Sequence, residues 1–418
     1  MNFFDTPLRR KILFAALYLS EGAPIGFLWL ALPTRLRARD VPLEQITWLT
    51  AVLVLPWTFK FAWAPLVDAL QTRWWTLRHW IIAAQTLMGA TLLPLIWIEP
   101  VRQFDFLASL LLTHAFAAAT QDVAIDALCI SATKPEERGQ YNGWMQAGML
   151  IGRATLGGGA LVLGTYIGEQ AVVGLLVLVT TFSMVLVILS PVPQADFDVG
   201  HRGRLDELWM AVRVAISQSN TWIGLLFGLT GGAAFKSLEV IYGPFLVDRG
   251  FDNETIGWFS LGPMIGAMVV GSVFGGWLAD RAGRRSCVAG SLAFIALAVL
   301  GLAAADWLMQ GEGGWYLCVL LATAAFGIGV FTASSYAMFM DVTSPRIAAT
   351  QFSAFMGSTN GCESWSSYAS GQIIARQSYP TAMAIMSVAS LLALPLVFLL
   401  HPRRQMSPPL QLDDRSTR

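Results

Sequence analysis

Two carboxylates, Asp122 and Asp126, stand four residues apart in T-Q-D-V-A-I-D-A-L (120–128), inside a run that is otherwise apolar from Leu107 to Ile130. On a helix that spacing puts both acids on one face, about 40° apart around the axis. A pair of acids in such surroundings can hold and release a proton as one coupled unit. Six more charged side chains lie deep in apolar runs: Glu21, Lys60, Arg153, Lys236, Glu239 and Glu363. Each costs roughly 2.5–3.5 kcal/mol at membrane depth on insertion scales, and such groups usually face a water-filled path or one another. Five acids against three bases leaves two carboxylates in excess. Some acids must therefore be protonated or hydrated, which is what proton coupling requires.

The proton-coupling candidates are thus Asp122, Asp126, Glu21, Glu239 and Glu363. Arg153, Lys60, Lys236 and the neighbouring Gln121 are candidates for holding an anionic solute, because a guanidinium can grip a carboxylate or phosphate with two parallel bonds. Structural readings stand beside these. Asp126 can pin a loop arginine such as Arg138, Lys236 and Glu239 can neutralise each other, and Arg153 can pair with Asp122 or Glu21.

The elements that must position these groups follow from composition. Of 418 residues, 55% are hydrophobic and 13% charged, and the mean hydropathy is +0.57. A soluble domain carries about 25% charged residues. The apolar residues fall into twelve blocks, each close to the roughly 20 residues that a spanning helix needs. They are 12–33, 45–67, 80–98, 107–130, 143–166, 171–190, 221–245, 255–279, 286–308, 315–338, 350–374 and 381–400. The predicted fold class is therefore an all-α polytopic membrane protein of twelve transmembrane helices, since barrel strands would be shorter and punctuated by turns.

With the N-terminus in the cytoplasm, cytoplasmic segments hold 18 of the 27 Lys and Arg residues, and the opposite side 6. That bias places both termini inside. MNFFDTPLRRK lacks a small-residue cleavage site, and Glu21 and Pro24 follow within the first block, so it reads as a first membrane helix and not a removable leader. A net charge of zero gives no reason to expect a nucleic-acid partner. The four histidines and four cysteines form no metal-ligand grouping, and neither a P-loop nor a nucleophile–base motif occurs. No metal, cofactor or enzymatic activity is expected.

A repeat organises the blocks. Arg39…Glu44-Gln-Ile46-Thr-Trp48 returns 210 residues later as Arg249…Glu254-Thr-Ile256-Gly-Trp258. Asp68 returns as Asp280 at an offset of 212, and Thr133-Lys-Pro135…Gln140-Tyr141 as Thr343-Ser-Pro345…Gln351-Phe352 at 210 to 211. The chain therefore reads as two duplicated halves, 1–190 and 221–400, each a six-helix bundle. A polar linker (191–220) containing the amphipathic stretch RLDELWMAVRVAI joins them, and a tail (401–418) follows. Gly148-x-x-x-Gly152 and Gly271-x-x-x-Gly275 predict close helix contacts. A duplicated bundle of this kind is expected of a transporter with its site between the halves.

Gly276-Trp-Leu-Ala-Asp280-Arg281-Ala-Gly283-Arg284-Arg285 resembles the loop signature of the major facilitator superfamily, nearly complete. The matching first-half loop, Pro65-Leu-Val-Asp68, keeps the aspartate without the glycines. Phe59-Lys60-Phe61-Ala-Trp63-Ala-Pro65-Leu-Val-Asp68, Gln121-Asp122…Asp126 and Ala349-Thr350-Gln351-Phe352 resemble the branch containing muropeptide permeases, acetyl-CoA transporters and single-polypeptide siderophore permeases. Room for only twelve spans favours the shorter, siderophore-permease-like members. This resemblance implies two pseudo-symmetric bundles, with spans 3, 6, 9 and 12 as outer supports. Those four carry no interior charge. It implies Asp68, Gly276, Asp280, Arg281, Gly283, Arg284 and Arg285 as gating-loop residues. It also implies a monomeric secondary transporter of the bacterial inner membrane, whose partners are a small-molecule solute, protons and the lipid bilayer. The Gly-Pro pair common in span 5 of this superfamily's drug antiporters is absent. Proton-coupled import of an amphiphilic or anionic solute, such as a siderophore or muropeptide, is the expectation. A proton-driven exporter and a transport-inactive sensor on the same scaffold are the alternatives.

Overall fold

The computed structural model describes residues 6–72, 74–133, 137–190, 210, 213–214, 216–343 and 348–400. The amphipathic stretch predicted at 204–216, for the most part, and the tail 401–418 lie outside the described residues.

Each of the twelve apolar blocks contains a helix. In the first half these are α1 (Pro7–Arg37), α2 (Leu43–Phe59), α3 (Leu77–Ile96), α4 (Phe104–Ala132), α5 (Arg138–Thr155 continued by Gly158–Ile167) and α6 (Glu169–Leu189). In the second they are α7 (Ser219–Asp248), α8 (Asn253–Ala279), α9 (Arg284–Leu308), α10 (Trp315–Val342), α11 (Ala348–Arg376) and α12 (Tyr379–Leu399). Among the described residues nine are long and apolar enough to cross a membrane, and α5, bent by 40°, makes a tenth. The other two, α2 and α11, fall outside that group for reasons of their own. α2 has 17 residues, and the 29 residues of α11 include the polar stretch Ser358-Thr-Asn-Gly-Cys-Glu363. They pack along each other, and the Ser364 hydroxyl donates to the Ala51 carbonyl at 2.8 Å. A helix covered by other helices does not need an apolar surface all round.

Local chemistry sets the helix ends and breaks. Thr6 caps α1 through the Arg9 amide with Pro7 at the first helical position, and Asp252 caps α8 through the Thr255 amide at 2.8 Å. Pro24 interrupts the regular bonding of α1, which passes through a π-turn at Phe27–Ala31. α8 has its own π-turn at Ser260–Met264 around Pro263. Residues of both irregular turns, Trp29 and Leu30 in one and Ser260 and Met264 in the other, line one cavity.

α1 and α5 pack closely because their facing residues are glycine. A Cβ on Gly22 would lie 2.2 Å from the Met149 carbonyl oxygen, and one on Gly148 2.1 Å from that of Ala15. Gly271 and Gly275 bring α8 equally close to α10, so both small-residue motifs serve as expected. Two side-chain bonds fall on positions that the sequence repeat pairs. Lys11 donates to Gln140 at 2.8 Å, and at equivalent positions in the repeat Gln351 donates to Thr221 at 2.8 Å.

The halves meet through α1 with α7, α2 with α11 and α5 with α8. We call the face carrying the start of α1 the terminal face and the other the distal face. At the distal face, Gly158 and Gly257 let α5 and α8 touch backbone to backbone. Arg37 of α1 pairs there with Asp248 of α7 at 2.6 Å, and Asp248 also accepts from Tyr379 at 2.7 Å.

Candidate functional site

Asp306 of α9 is buried and paired with Arg249 at 2.5 Å, and Arg35 of α1 is buried as well. The eight charges expected inside spans gather elsewhere, in two clusters. In the first, α1 contributes Tyr18 and Glu21, three apart and so on one face, and α4 contributes Asp122 and Asp126. Lys60 sits in the short turn Lys60–Ala62 after α2 and forms an ion pair with Asp122. The Tyr18 hydroxyl lies between the two aspartates, 3.1 Å from Asp122 and 2.5 Å from Asp126. Glu21 is 1% exposed. One of its oxygens accepts from the Trp57 indole at 3.4 Å, and the other has no hydrogen-bond partner among the described residues.

The second cluster draws on α5, α7 and α11. Lys236 Nζ lies 2.6 Å from Glu363 and 3.8 Å from Glu239. Arg153, which belongs to the first half, reaches across to Glu239 at 3.8 Å. Trp29, also of the first half, donates its indole N–H to Glu363. A cavity of about 70 Å³, room for a few waters, is lined by Gly26, Trp29 and Arg153 on one side and Glu239, Tyr242 and Ser260 on the other.

Of the five acids and three bases, each base has an acidic partner: Lys60 with Asp122, Lys236 with Glu363 and Glu239, and Arg153 with Glu239. Among the described residues Glu21 and Asp126 have no cation at ion-pair distance. Arg153 pairs with neither Asp122 nor Glu21, and its partner Glu239 comes from the opposite half. Gln121 is fully buried, and both its amide oxygen and nitrogen lack partners among the described residues. The suggested Asp126–Arg138 tie falls on a side chain, Arg138, outside what is described.

The gating-loop residues divide. The side chains of Asp68 and Asp280 lie outside what is described. Gly283 has φ +84°, a conformation that favours glycine, whereas a Cβ on Gly276 would meet open space. Arg284 pairs with Asp341 at the end of α10, and Arg281 lies over the Trp277 ring at 4.5 Å. Arg285 has a buried nitrogen with no partner among the described residues.

Sequence reasoning missed Tyr18, Trp29, Trp57 and Tyr242. The available signal was helical spacing: Tyr18 and Trp57 each precede a buried charge, Glu21 and Lys60, by three residues. Trp29 carries no such mark, since its partner Glu363 is 334 residues away.

Comparison with known proteins bears on the family and the fold. A family model described as Major Facilitator Superfamily matches residues 14–362 and 246–417. An anhydromuropeptide permease of Escherichia coli K12 is 25% identical over 373 residues, covering 84% of this chain and 71% of its own length. A putative transporter, AmpG 4, of Rickettsia felis is 21% identical and covers 91% of this chain and 93% of its own. Among solved structures, a D-xylose–proton symporter superimposes with a TM-score of 0.75 at 10% identity, over 94% of this chain and 97% of that one. The nucleoside transporter NupG gives 0.71 at 13%, over 97% of this chain and 100% of that one. At such identities the structural matches establish the fold.

Proposed function

The chain belongs to the major facilitator superfamily, and we propose that it is a proton-coupled importer of an anionic, amphiphilic solute of the muropeptide class. It is a multi-pass membrane transporter. The observation that carries the coupling half of this reading is the position of the charge excess. Among the described residues, Glu21 is buried with one oxygen unpartnered and no cation at ion-pair distance, and Asp126 has the Tyr18 hydroxyl as its side-chain partner. A carboxylate so placed is costly, and a carboxylic acid much less so. Asp126 is joined to Asp122 through the Tyr18 hydroxyl, and Glu21 stands three residues from Tyr18 on the same helix, so the acids of this cluster titrate as a set.

The solute half rests on Arg153 at the cavity and on the likeness to a protein named anhydromuropeptide permease. A guanidinium suits a carboxylate, and the indole and phenol rings of Trp29 and Tyr242 beside it suit an apolar or sugar-ring face. At about 70 Å³ the cavity is far smaller than such a solute. Admitting it requires the halves to separate across the α1–α7, α2–α11 and α5–α8 contacts. We place the protein in a bacterial inner membrane as a monomer, with the terminal face in the cytoplasm, on the Lys/Arg bias of its loops.

The test is uptake by cells carrying or lacking the gene, with a labelled anhydromuropeptide and a ferric siderophore side by side. Gene-dependent entry of the muropeptide, abolished by a protonophore, is the expected result. Uptake of the siderophore alone overturns the solute assignment, and uptake indifferent to the protonophore overturns the coupling.

A further inference from the structure

We infer that Glu239 is a built-in stand-in for the solute's acidic group. In the empty protein it holds Arg153 across the boundary between the halves, and the solute's carboxylate displaces it. The inference rests on the reading of Arg153 as the anion-binding residue, but its main test needs no solute.

Arg153 comes from α5 and Glu239 from α7, so their contact ties the two halves together at the cavity wall. The contact is long, 3.8 Å, where a charge-assisted bond runs about 2.7–2.9 Å. Arg153 has no hydrogen-bond partner among the described residues, and its side chain is 39% exposed while that of Glu239 is 10% exposed. The guanidinium therefore keeps most of its donors without a partner among the described residues, at a cavity that Glu239 also lines. An entering carboxylate can make two short bonds where Glu239 makes one loose contact. The displaced Glu239 is not stranded, because Lys236 stands 3.8 Å away, held in turn by Glu363. Lys236 can thus take over Glu239 when Arg153 leaves it. Binding of an anion then removes an ionic tie between the halves that a neutral solute leaves in place. The pair would let the transporter distinguish a charged solute from an uncharged one at the moment of rearrangement, beyond the affinity of Arg153 itself.

The experiment uses the full chain in proteoliposomes. Thr34→Cys, a fully buried position where α1 faces Gly243 of α7, reports separation of the halves through its rate of maleimide labelling against the parent background. Added to Thr34→Cys, Glu239→Gln, Arg153→Gln and their combination should each raise labelling without any solute, and by the same factor, because each removes one and the same tie. Glu239→Asp, which keeps the charge on a shorter stem, should fall between parent and Glu239→Gln, and serves if the amide variant does not fold. Labelling unchanged in all of them, or additive in the combination, overturns the proposal whatever the solute proves to be. In a binding assay with an anhydromuropeptide and its fully amidated counterpart, Glu239→Gln should tighten the acid about three- to tenfold, the scale of one ion pair. The amide should be unaffected. Acid bound more weakly by Glu239→Gln than by the parent also overturns it. Failure of the parent to bind either probe, with labelling as expected, would remove the muropeptide reading and leave the tie standing.

Discussion

Trp29 and Trp57 meet edge to face, their ring centroids 5.8 Å apart and their planes at 83°. Each indole N–H points to a different buried glutamate, Trp57 to Glu21 of the first cluster and Trp29 to Glu363 of the second. The ring pair is therefore the physical link between the two charge clusters. Edge-to-face geometry adds about 0.5–1.5 kcal/mol beyond area burial. Trp29→Phe should retain most ring packing and lose the bond to Glu363, costing about 1.5–3 kcal/mol as a hydrogen bond to a charged group. Trp57→Phe, whose bond to Glu21 is 3.4 Å long, should cost less. Melting temperatures in detergent rank the two, and equal losses would contradict the assignment.

Glu21→Gln fixes a neutral side chain of the same shape where, among the described residues, the charge has no cation at ion-pair distance. Solute binding and counterflow exchange should survive, while accumulation driven by a pH gradient is lost. Asp126→Asn should behave alike. In the parent, uptake should rise as external pH falls, since outside acid both loads the carboxyl and increases the inward force. Normal pH-driven accumulation by Glu21→Gln would remove it as a proton carrier.

Asp122 behaves differently because it already has a cation. Asp122→Asn leaves Lys60 buried without its partner, a loss of about 3–5 kcal/mol where such a pair is fully enclosed and less where, as here, the Lys60 side chain keeps 21% of its exposure. The variant should melt well below the parent. Lys60→Met combined with Asp122→Leu should recover part of that stability, though not transport. A double variant no more stable than Asp122→Asn would show that the pair is not a unit.

Between α8 and α9, Gly283→Ala should destabilise by about 1 kcal/mol because its φ of +84° strains any Cβ, whereas Gly276→Ala, inside α8 with open space for the Cβ, should stabilise slightly. Gly22→Val, forced against the Met149 carbonyl, should cost far more than Gly283→Ala. Comparing the three melting temperatures checks that order.

The class of fold was legible in the order of residues alone, because the cost of exposing backbone to lipid leaves long apolar helices as the solution for blocks of this length. That order also singled out Glu21, Asp122 and Glu363, which are buried, but not Asp306 or Arg35, which are buried too. The excess of two carboxylates was a matter of counting. Which two they are was decided only by tertiary structure, since ion pairing depends on helices far apart in the chain. Lys60 reaches Asp122 from 62 residues away and Lys236 reaches Glu363 from 127. Asp122, so prominent in sequence beside Asp126, is neutralised by that fold, whereas Glu21 of α1 has no ion-pair partner among the described residues. Arg153 likewise found its partner in the opposite half, at a distance along the chain that no local spacing could signal. Helical periodicity sets which residues share a face; only the packing of faces sets which charges meet.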